Sequence, residues 1–255
     1  MCTISWLSDG RNLHVRFNRD ESLSRPRALP PAIFSGNPLP FAAPRDPIGG
    51  GTWIAASAAG TVFALLNHYE SSISAAPATA SRGALPWSLA AGSRHLDDTL
   101  GNPPTLARLA PFHLFVLRSG FAARHSWDGA SLASHPLDPA AGFLTTSSWN
   151  AGEVVALRTR AFERLQRSGS LTSAGLDRLH DGLETPHDPA SGILMDRPGR
   201  RTLSQTQIRL GREALTLDYR ERDPAGQGFL PPRQPIRLPV QLSGRTPPSP
   251  WKSPV

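Results

Sequence analysis

Cys2 is the one cysteine among 255 residues, and it stands directly behind Met1. A small second residue permits removal of Met1, which would put a thiol and a free α-amine on the same residue. Such an amine, with a pKa of about 7.7–8.0, can act as general base for its own side chain. The thiolate would then attack a carbonyl carbon, and a nearby cation would raise its population. The competing reading is an ordinary buried cysteine at the start of a strand, the common fate of free cysteine. Other chemistries have less to stand on. The eight histidines show no HExxH or other close spacing, so no metal centre is expected. Gly49-Gly50-Gly51 lacks the Lys-Ser/Thr and following helix of a phosphate loop. Ser147-Ser148-Trp149 has no nucleophile-elbow context. A single cysteine excludes an intramolecular disulfide and a Cys-cluster zinc site.

The net charge is +7. Lys252 is the one lysine, and the arginines are scattered singly rather than gathered in a stripe. Nucleic acid is therefore not the expected partner. No run reaches the roughly 20 apolar residues of a membrane span, and the first residues lack the apolar core of a signal peptide. A cytoplasmic location is the expectation.

The elements that must position Cys2 are short strands. Cys2 to Leu7 is apolar, and Leu13 to Asn18 alternates Leu13, Val15 and Phe17 with His14, Arg16 and Asn18. The turn-rich Ser8 to Asn12 joins them as a hairpin. Arg25 to Pro47 holds seven prolines and reads as an irregular excursion. A second hairpin covers Thr52 to Ser57 and Thr61 to Asn67. From Ser71 to Gly92 the Ser/Ala/Pro composition favours a loop with at most a short helix, and Leu96 to Leu109 holds helical turns broken near Pro103. Three strands follow (His113 to Arg118, Phe121 to Ser126, Ser131 to Leu137), then a short one at Gly142 to Ser147. Helices fit Gly152 to Gln166, with Asn150 as N-cap and Gly169 as stop, and Thr172 to His180. Gly192 to Met195, Thr202 to Leu210 and Ala214 to Glu221 read as strands. The order predicts an α+β domain with antiparallel sheets over residues 1–228, and a Pro-rich extended or disordered tail over 229–255.

Four motifs in order point further: Met1-Cys2-Thr3 opening a strand hairpin, Asn18-Arg19-Asp20-Glu21 with Ser24-Arg25-Pro26, Gly50-Gly51-Thr52-Trp53-Ile54, and Gly60 followed by Ala64-Leu65-Leu66-Asn67. Together they resemble the NRDE family, named for that tetrapeptide, which is also the family of the transport and Golgi organization 2 proteins. The family is similar to N-terminal nucleophile (Ntn) hydrolases, in particular their cysteine branch. The resemblance implies a four-layer αββα sandwich of two antiparallel sheets covered by helices. It also implies that Arg19 and Asp20 flank Cys2. Arg19 would favour the thiolate, and Asp20 would orient the α-amine; otherwise the two form an exposed turn pair of little consequence. Asn67 falls where that branch places an oxyanion donor, although a strand-end asparagine commonly bonds its own turn. A second asparagine of the branch is replaced by Thr146 or Ser147, each with one hydroxyl proton to give. Arg201 matches a late arginine of the branch, with Arg200 an equal candidate.

Two functions follow from the resemblance. One is a cysteine amidohydrolase, needing no cofactor, that cleaves a non-peptide amide or related acyl bond of a small molecule. The other is a non-enzymatic haem carrier using the same pocket, with arginines against the propionates and Cys2 or a histidine such as His14 as axial ligand.

Overall fold

The structure, a computed structural model, describes residues 2–70, 78–185, 188–225 and 228–241. In chain order it contains β1 (Cys2–Ser8), β2 (Leu13–Ser22), β3 (Leu29–Phe34), β4 (Phe41–Arg45), β5 (Ile54–Ser57) and β6 (Thr61–Asn67). Three short helices follow, α1 (Ala84–Ala90), α2 (Leu96–Leu100) and α3 (Pro103–Leu106). Then come β7 (Phe112–Arg118), β8 (Phe121–Trp127), β9 (Leu132–Leu137) and β10 (Ala141–Thr146). Helices α4 (Ala151–Arg167) and α5 (Ser173–His180) lead to β11 (Asp196–Arg197), β12 (Arg200–Leu210), β13 (Ala214–Glu221) and β14 (Ile236–Pro239).

The strands form two seven-stranded antiparallel sheets. One has the order β10-β1-β2-β12-β13-β14, with β11 on β12, and the other runs β3 to β9 in sequence order. The strand period of two sends Ile4, Trp6, Val15 and Phe17 of the first sheet into a core shared with Ile54, Ala64, Leu66 and Phe115 of the second. Trp6 meets Phe115 across that interface, with ring centroids 5.9 Å apart. Gly142 lies opposite Trp6 in register, and a Cβ there would come within 2.0 Å of the indole. Helices α1 to α3 supply Leu85, Leu89 and Leu106 to the outer side of the second sheet. Helices α4 and α5 form a small cluster of their own, Ala161, Phe162, Leu165, Leu176 and Leu179, against Phe143. The fold is thus a four-layer αββα sandwich, two antiparallel sheets covered by helices. No helix among the described residues is long and apolar enough to cross a membrane.

The alternation of β2 has an outcome of its own. Its polar set does not face water; His14, Arg16, Asn18 and Asp20 are all buried. Their face is roofed by α4 and α5: Arg16 Nε donates to Asp177 Oδ1 at 2.6 Å, and Asn18 Nδ2 to the His180 carbonyl at 2.8 Å. His180 bonds Asn18 Oδ1 through Nδ1 and Ser5 Oγ through Nε2. A hydrogen-bonded polar layer therefore separates this sheet from its helices, every partner supplied from within the protein.

Four places differ from the sequence expectation. Arg25 to Pro47 is not wholly irregular, because it holds β3 and β4. Pro30 and Pro31 fit there since β3 is the edge of its sheet and its register shifts between Leu29 and Ala32. Gly192 to Met195 is not a strand. Its carbonyls serve side chains instead: Arg158 takes that of Gly192, and Asn18 and Thr202 take that of Ile193. Asn150 precedes α4 in the left-handed region at φ 41° and makes no side-chain cap bond, while Thr172 caps α5 through Gly175 N–H. Past residue 229, β14 pairs with β13 and buries Leu238 in the inter-sheet core. Met1, residues 71–77 of the expected loop and 242–255 of the Pro-rich segment lie outside the described residues.

Candidate active site

Cys2 begins β1 between two neighbours, in register with Thr146 of β10 and with Arg19 of β2. Cross-strand partners point to one face, so the three side chains form a row on the side of the sheet that looks toward the second sheet. The row ends in a pocket of about 260 Å³ whose walls include Cys2, Arg19, Trp53, Asn67 and Arg82.

Arg19 is buried, with its guanidinium 4.3 Å above the Trp53 ring and Nη2 3.5 Å from Glu21. The stack holds the charge beside Cys2 while covering it from water. Arg25 pairs with Asp46 and lies 3.8 Å from Glu21, which balances that part of the rim. Asp20 points the other way, into the polar layer. Its Oδ1 accepts from Thr202 Oγ1 at 2.6 Å, and its Oδ2 lies 3.3 Å from Arg158 Nη1. The tetrapeptide thus divides by strand parity. Arg19 and Glu21 turn to the pocket, whereas Asn18 and the Asp20 carboxylate turn to the layer beneath α4 and α5, although Asp20 also forms part of the pocket wall.

Burial pushes the Cys2 thiol above its ordinary value. The positive chain terminus opposes this most strongly, the Asp20 charge adds to the rise, and a backbone hydrogen bond from Asp20 and the charge of Arg19 pull it down. Arg19 acts in the expected direction, but burial outweighs it, and the thiol is held neutral.

Asn67 closes β6, and its Nδ2 donates to Tyr69 Oη at 2.6 Å. One amide hydrogen is therefore committed to a neighbour that the sequence reading did not single out. Burial raises the Tyr69 pKa, and the charges of Cys2, Arg82 and Arg200 are all felt at its hydroxyl. Arg82 comes from the Ser/Ala/Pro-rich stretch before α1. It donates to the Pro111 carbonyl at 2.8 Å and has no carboxylate partner among the described residues. Burial lowers its pKa.

Of the two hydroxyls at the end of β10, Ser147 Oγ donates to the Trp149 carbonyl at 2.5 Å and accepts from Trp149 N–H, closing a local turn. Thr146 Oγ1 is buried and has no hydrogen-bond partner among the described residues. It sits directly across from Cys2.

Arg201 does not line the Cys2 pocket. It is held by Asp196 at 2.9 Å and by the Pro224 carbonyl, and it lines the adjoining pocket together with Arg19 and Arg25. Arg200, on the neighbouring position of β12, is exposed and sends its field to Tyr69. His14 is also remote. It pairs with Leu7, five register steps from Cys2 or about 17 Å along the strand. Both its ring nitrogens are engaged, by Asp9 and Ser173.

Arg158 was not foreseen. It lies on the apolar face of α4, in line with Val154, Ala161, Phe162 and Leu165, and is fully buried. Its Nε and Nη2 donate to the carbonyls of Ser191 and Gly192, and Nη1 reaches Thr3, Thr145 and Asp20. The signal in the sequence was a lone arginine at helical spacing within an apolar stripe.

A known structure shares this architecture. A mutant of the conjugated bile acid hydrolase from Clostridium perfringens aligns at 11% identity over 94% of this chain and 92% of its own, with a TM-score of 0.50. The N-acylethanolamine-hydrolyzing acid amidase ortholog of Caenorhabditis elegans aligns at 11% identity over 82% of this chain and 92% of its own, with a TM-score of 0.46. No curated protein matches the sequence. The model of the family "Transport and Golgi organisation 2" matches residues 1–146, which contain Cys2, the Asn18 to Glu21 tetrapeptide, Asn67 and Thr146. The chain belongs to the Transport and Golgi organisation 2 family.

Proposed function

We propose that the protein is an Ntn-type cysteine amidohydrolase that cleaves a non-peptide amide or related acyl bond once Met1 is removed. The observation that carries this reading is Cys2 beside Arg19 at the wall of a pocket that also receives Asn67, with Thr146 across from Cys2 in register. Cys2 Sγ attacks the acyl carbon while its own α-amine takes the thiol proton. The same amine returns that proton to the leaving nitrogen, and water then releases the acid from the thioester. Thr146 Oγ1 and the remaining Asn67 amide hydrogen are the donors for the oxyanion. Arg19 holds the thiolate, and Asp20, fixed by Arg158 and Thr202, positions the amino terminus. The sandwich fold shared with a conjugated bile acid hydrolase is compatible with this chemistry.

The test is intact-mass spectrometry of protein from its native host, before and after an electrophilic acyl probe. The expected result is a chain lacking Met1 that takes one adduct, absent in Cys2→Ser. Retained Met1, or labelling that survives Cys2→Ser, would overturn the proposal.

Three arginines on the pocket wall, Arg19, Arg25 and Arg82, favour a second reading, haem carriage, in which they would face the propionates. Saturable haem binding with a Soret shift that Cys2→Ala alters, in protein that takes no acyl adduct, would select it.

A further inference from the structure

The chain leaving β6 serves two places at once. Asn67 and Tyr69 are bonded to each other beside Cys2, whereas His68 and Glu70, the residues between and after them, meet His113 of β7. The ligand atoms of His68, Glu70 and His113 all lie within 4.8 Å of one another, the one such grouping of His, Cys, Asp and Glu among the described residues. Glu70 Oε2 is 3.9 Å from His68 Nε2 and 3.8 Å from His113 Nε2. The two imidazoles lie side by side, with centroids 4.2 Å apart and their planes tilted by 35°.

Each ring is anchored by its other nitrogen. His68 Nδ1 lies 3.2 Å from the Trp127 carbonyl, which only accepts, so the proton sits on Nδ1 and the lone pair on Nε2. His113 Nδ1 is held by Ser126 Oγ at 2.8 Å. Orientation of a ring through Nδ1, with Nε2 presented to a common point, is the arrangement that metal-binding histidines use. At 3.8 and 3.9 Å from the rings, Glu70 is within ion-pair reach of both but too far for a well-formed hydrogen bond to either, so its carboxylate is left with room for another partner.

We propose that His68, Glu70 and His113 bind a divalent transition ion, Zn²⁺ by the chemistry of the donors, with water at the fourth position. Two imidazole nitrogens and one carboxylate oxygen suit zinc, and bonds of about 2.0–2.2 Å in a tetrahedron put ligand atoms about 3.4 Å apart. Glu70 is exposed, so its side chain has room to close its gaps of about half an ångström to each ring, and the two ring nitrogens, within 4.8 Å of each other, would draw together on the ion. Arg124 lies close enough to act on His113 and is the opposing charge; the Glu70 carboxylate offsets it. A bound ion would clamp residues 68 and 70 to β7 and, through the shared backbone, fix Asn67 and Tyr69 beside Cys2. No spacing along the chain marks the cluster, because His113 is brought in only by the pairing of β6 with β7.

The test uses the full chain without an affinity tag, stripped by chelator and titrated with Zn²⁺ against a chromophoric competitor, then with Co²⁺ for its visible spectrum. One equivalent per chain is expected, with a cobalt spectrum free of thiolate charge transfer and unchanged in Cys2→Ser. Glu70→Gln should weaken binding roughly tenfold or more, and His68→Ala should abolish it. Both positions leave the core intact, and circular dichroism checks their folding; His113→Ala removes a buried ring and serves only as support. Absence of binding by the folded wild type overturns the proposal. So does an affinity that survives both Glu70→Gln and His68→Ala, or a thiolate band that disappears in Cys2→Ser.

Discussion

Arg158 Nη1 lies 3.3 Å from Asp20 Oδ2, and neither side chain is exposed to water. The pair joins α4 to the strand that carries Arg19, and the rest of the guanidinium is spent on Thr3, Thr145 and the carbonyls of Ser191 and Gly192. Desolvating two ions is costly, and excellent geometry with complete hydrogen bonding is what offsets it. Breaking such a pair from one side leaves a buried charge uncompensated. Arg158→Leu should therefore destabilise the fold by about 3–5 kcal/mol, read as a shift of the urea midpoint at constant slope. A loss below about 1 kcal/mol would mean that water replaces the guanidinium and that Asp20 is not held by it.

His180 and His125 set an acid limit on stability. Burial lowers the His180 pKa well below its ordinary value, helped by Arg16, Arg158 and Arg220, and burial pushes His125 down to about 4. Both are neutral in the folded state and titrate near 6.5 when unfolded. Their contribution is complete above about pH 6.5 and is lost as pH falls, because the unfolded chain then binds protons that the folded chain refuses. Each should remove about 1.4 kcal/mol per pH unit below that point, until His125 protonates in place near pH 4. Chemical denaturation at pH 7.5, 6.5, 5.5 and 4.5 measures the slope, and His125→Asn should reduce it, with His113, also lowered by burial, contributing to what remains. A flat profile between pH 6.5 and 5 would contradict the assignment. The depressed carboxylates Asp46 and Asp188 cannot produce that slope, since they act near and below pH 4.

Arg82 sets the charge preference of the pocket. It is the arginine of the Cys2 wall with no carboxylate within ion-pair reach among the described residues, since Arg19 has Glu21 and Arg25 has Asp46. A substrate bearing an anionic group can supply that partner through a charge-assisted bond worth about 1.5–3 kcal/mol. Arg82→Gln should raise KM for anionic acyl substrates roughly tenfold or more and leave kcat nearly unchanged, while uncharged substrates show no effect. Equal losses for both substrate types would instead point to a role for Arg82 in holding the loop to Pro111.

The hairpins around Cys2 were legible because their alternation is strict and their turns carry Gly, Asn and Asp. The two long helices and the β12–β13 pair were legible for the same reason. Prolines hid β3 and β4, since sequence alone does not tell an edge strand from an excursion. The site was half legible. Cys2, Arg19, Asp20 and Asn67 announce themselves by motif, but Arg82 and Tyr69 come from stretches with no periodicity. Arg158 is hidden for a different reason: an arginine on a helix reads as solvated until its partners are in place. Arg201 faces the same side of the sheet as Glu21, its register partner, but its guanidinium is taken up by Asp196 and the Pro224 carbonyl, contacts that no spacing in the sequence announces.

Thr146 separates a catalytic hydroxyl from a structural one. Its Oγ1 is buried opposite Cys2 without a hydrogen-bond partner among the described residues, a state that costs about 1–3 kcal/mol unless something uses the donor. Replacing the hydroxyl by a methyl of the same shape, Thr146→Val, should leave stability unchanged or raise it by up to about 1 kcal/mol. If Oγ1 donates to the oxyanion at Cys2, the same change should slow acyl-probe labelling by about a hundredfold. Ser147→Ala is the opposite case: it breaks the turn bond to Trp149 and should cost about 1 kcal/mol, with labelling at the wild-type rate. Thermal melts and labelling kinetics on the two variants decide the matter. Unchanged labelling in Thr146→Val would remove Thr146 from the site and leave Asn67 as its oxyanion donor. Slowed labelling in Ser147→Ala alone would move the role to the neighbouring hydroxyl.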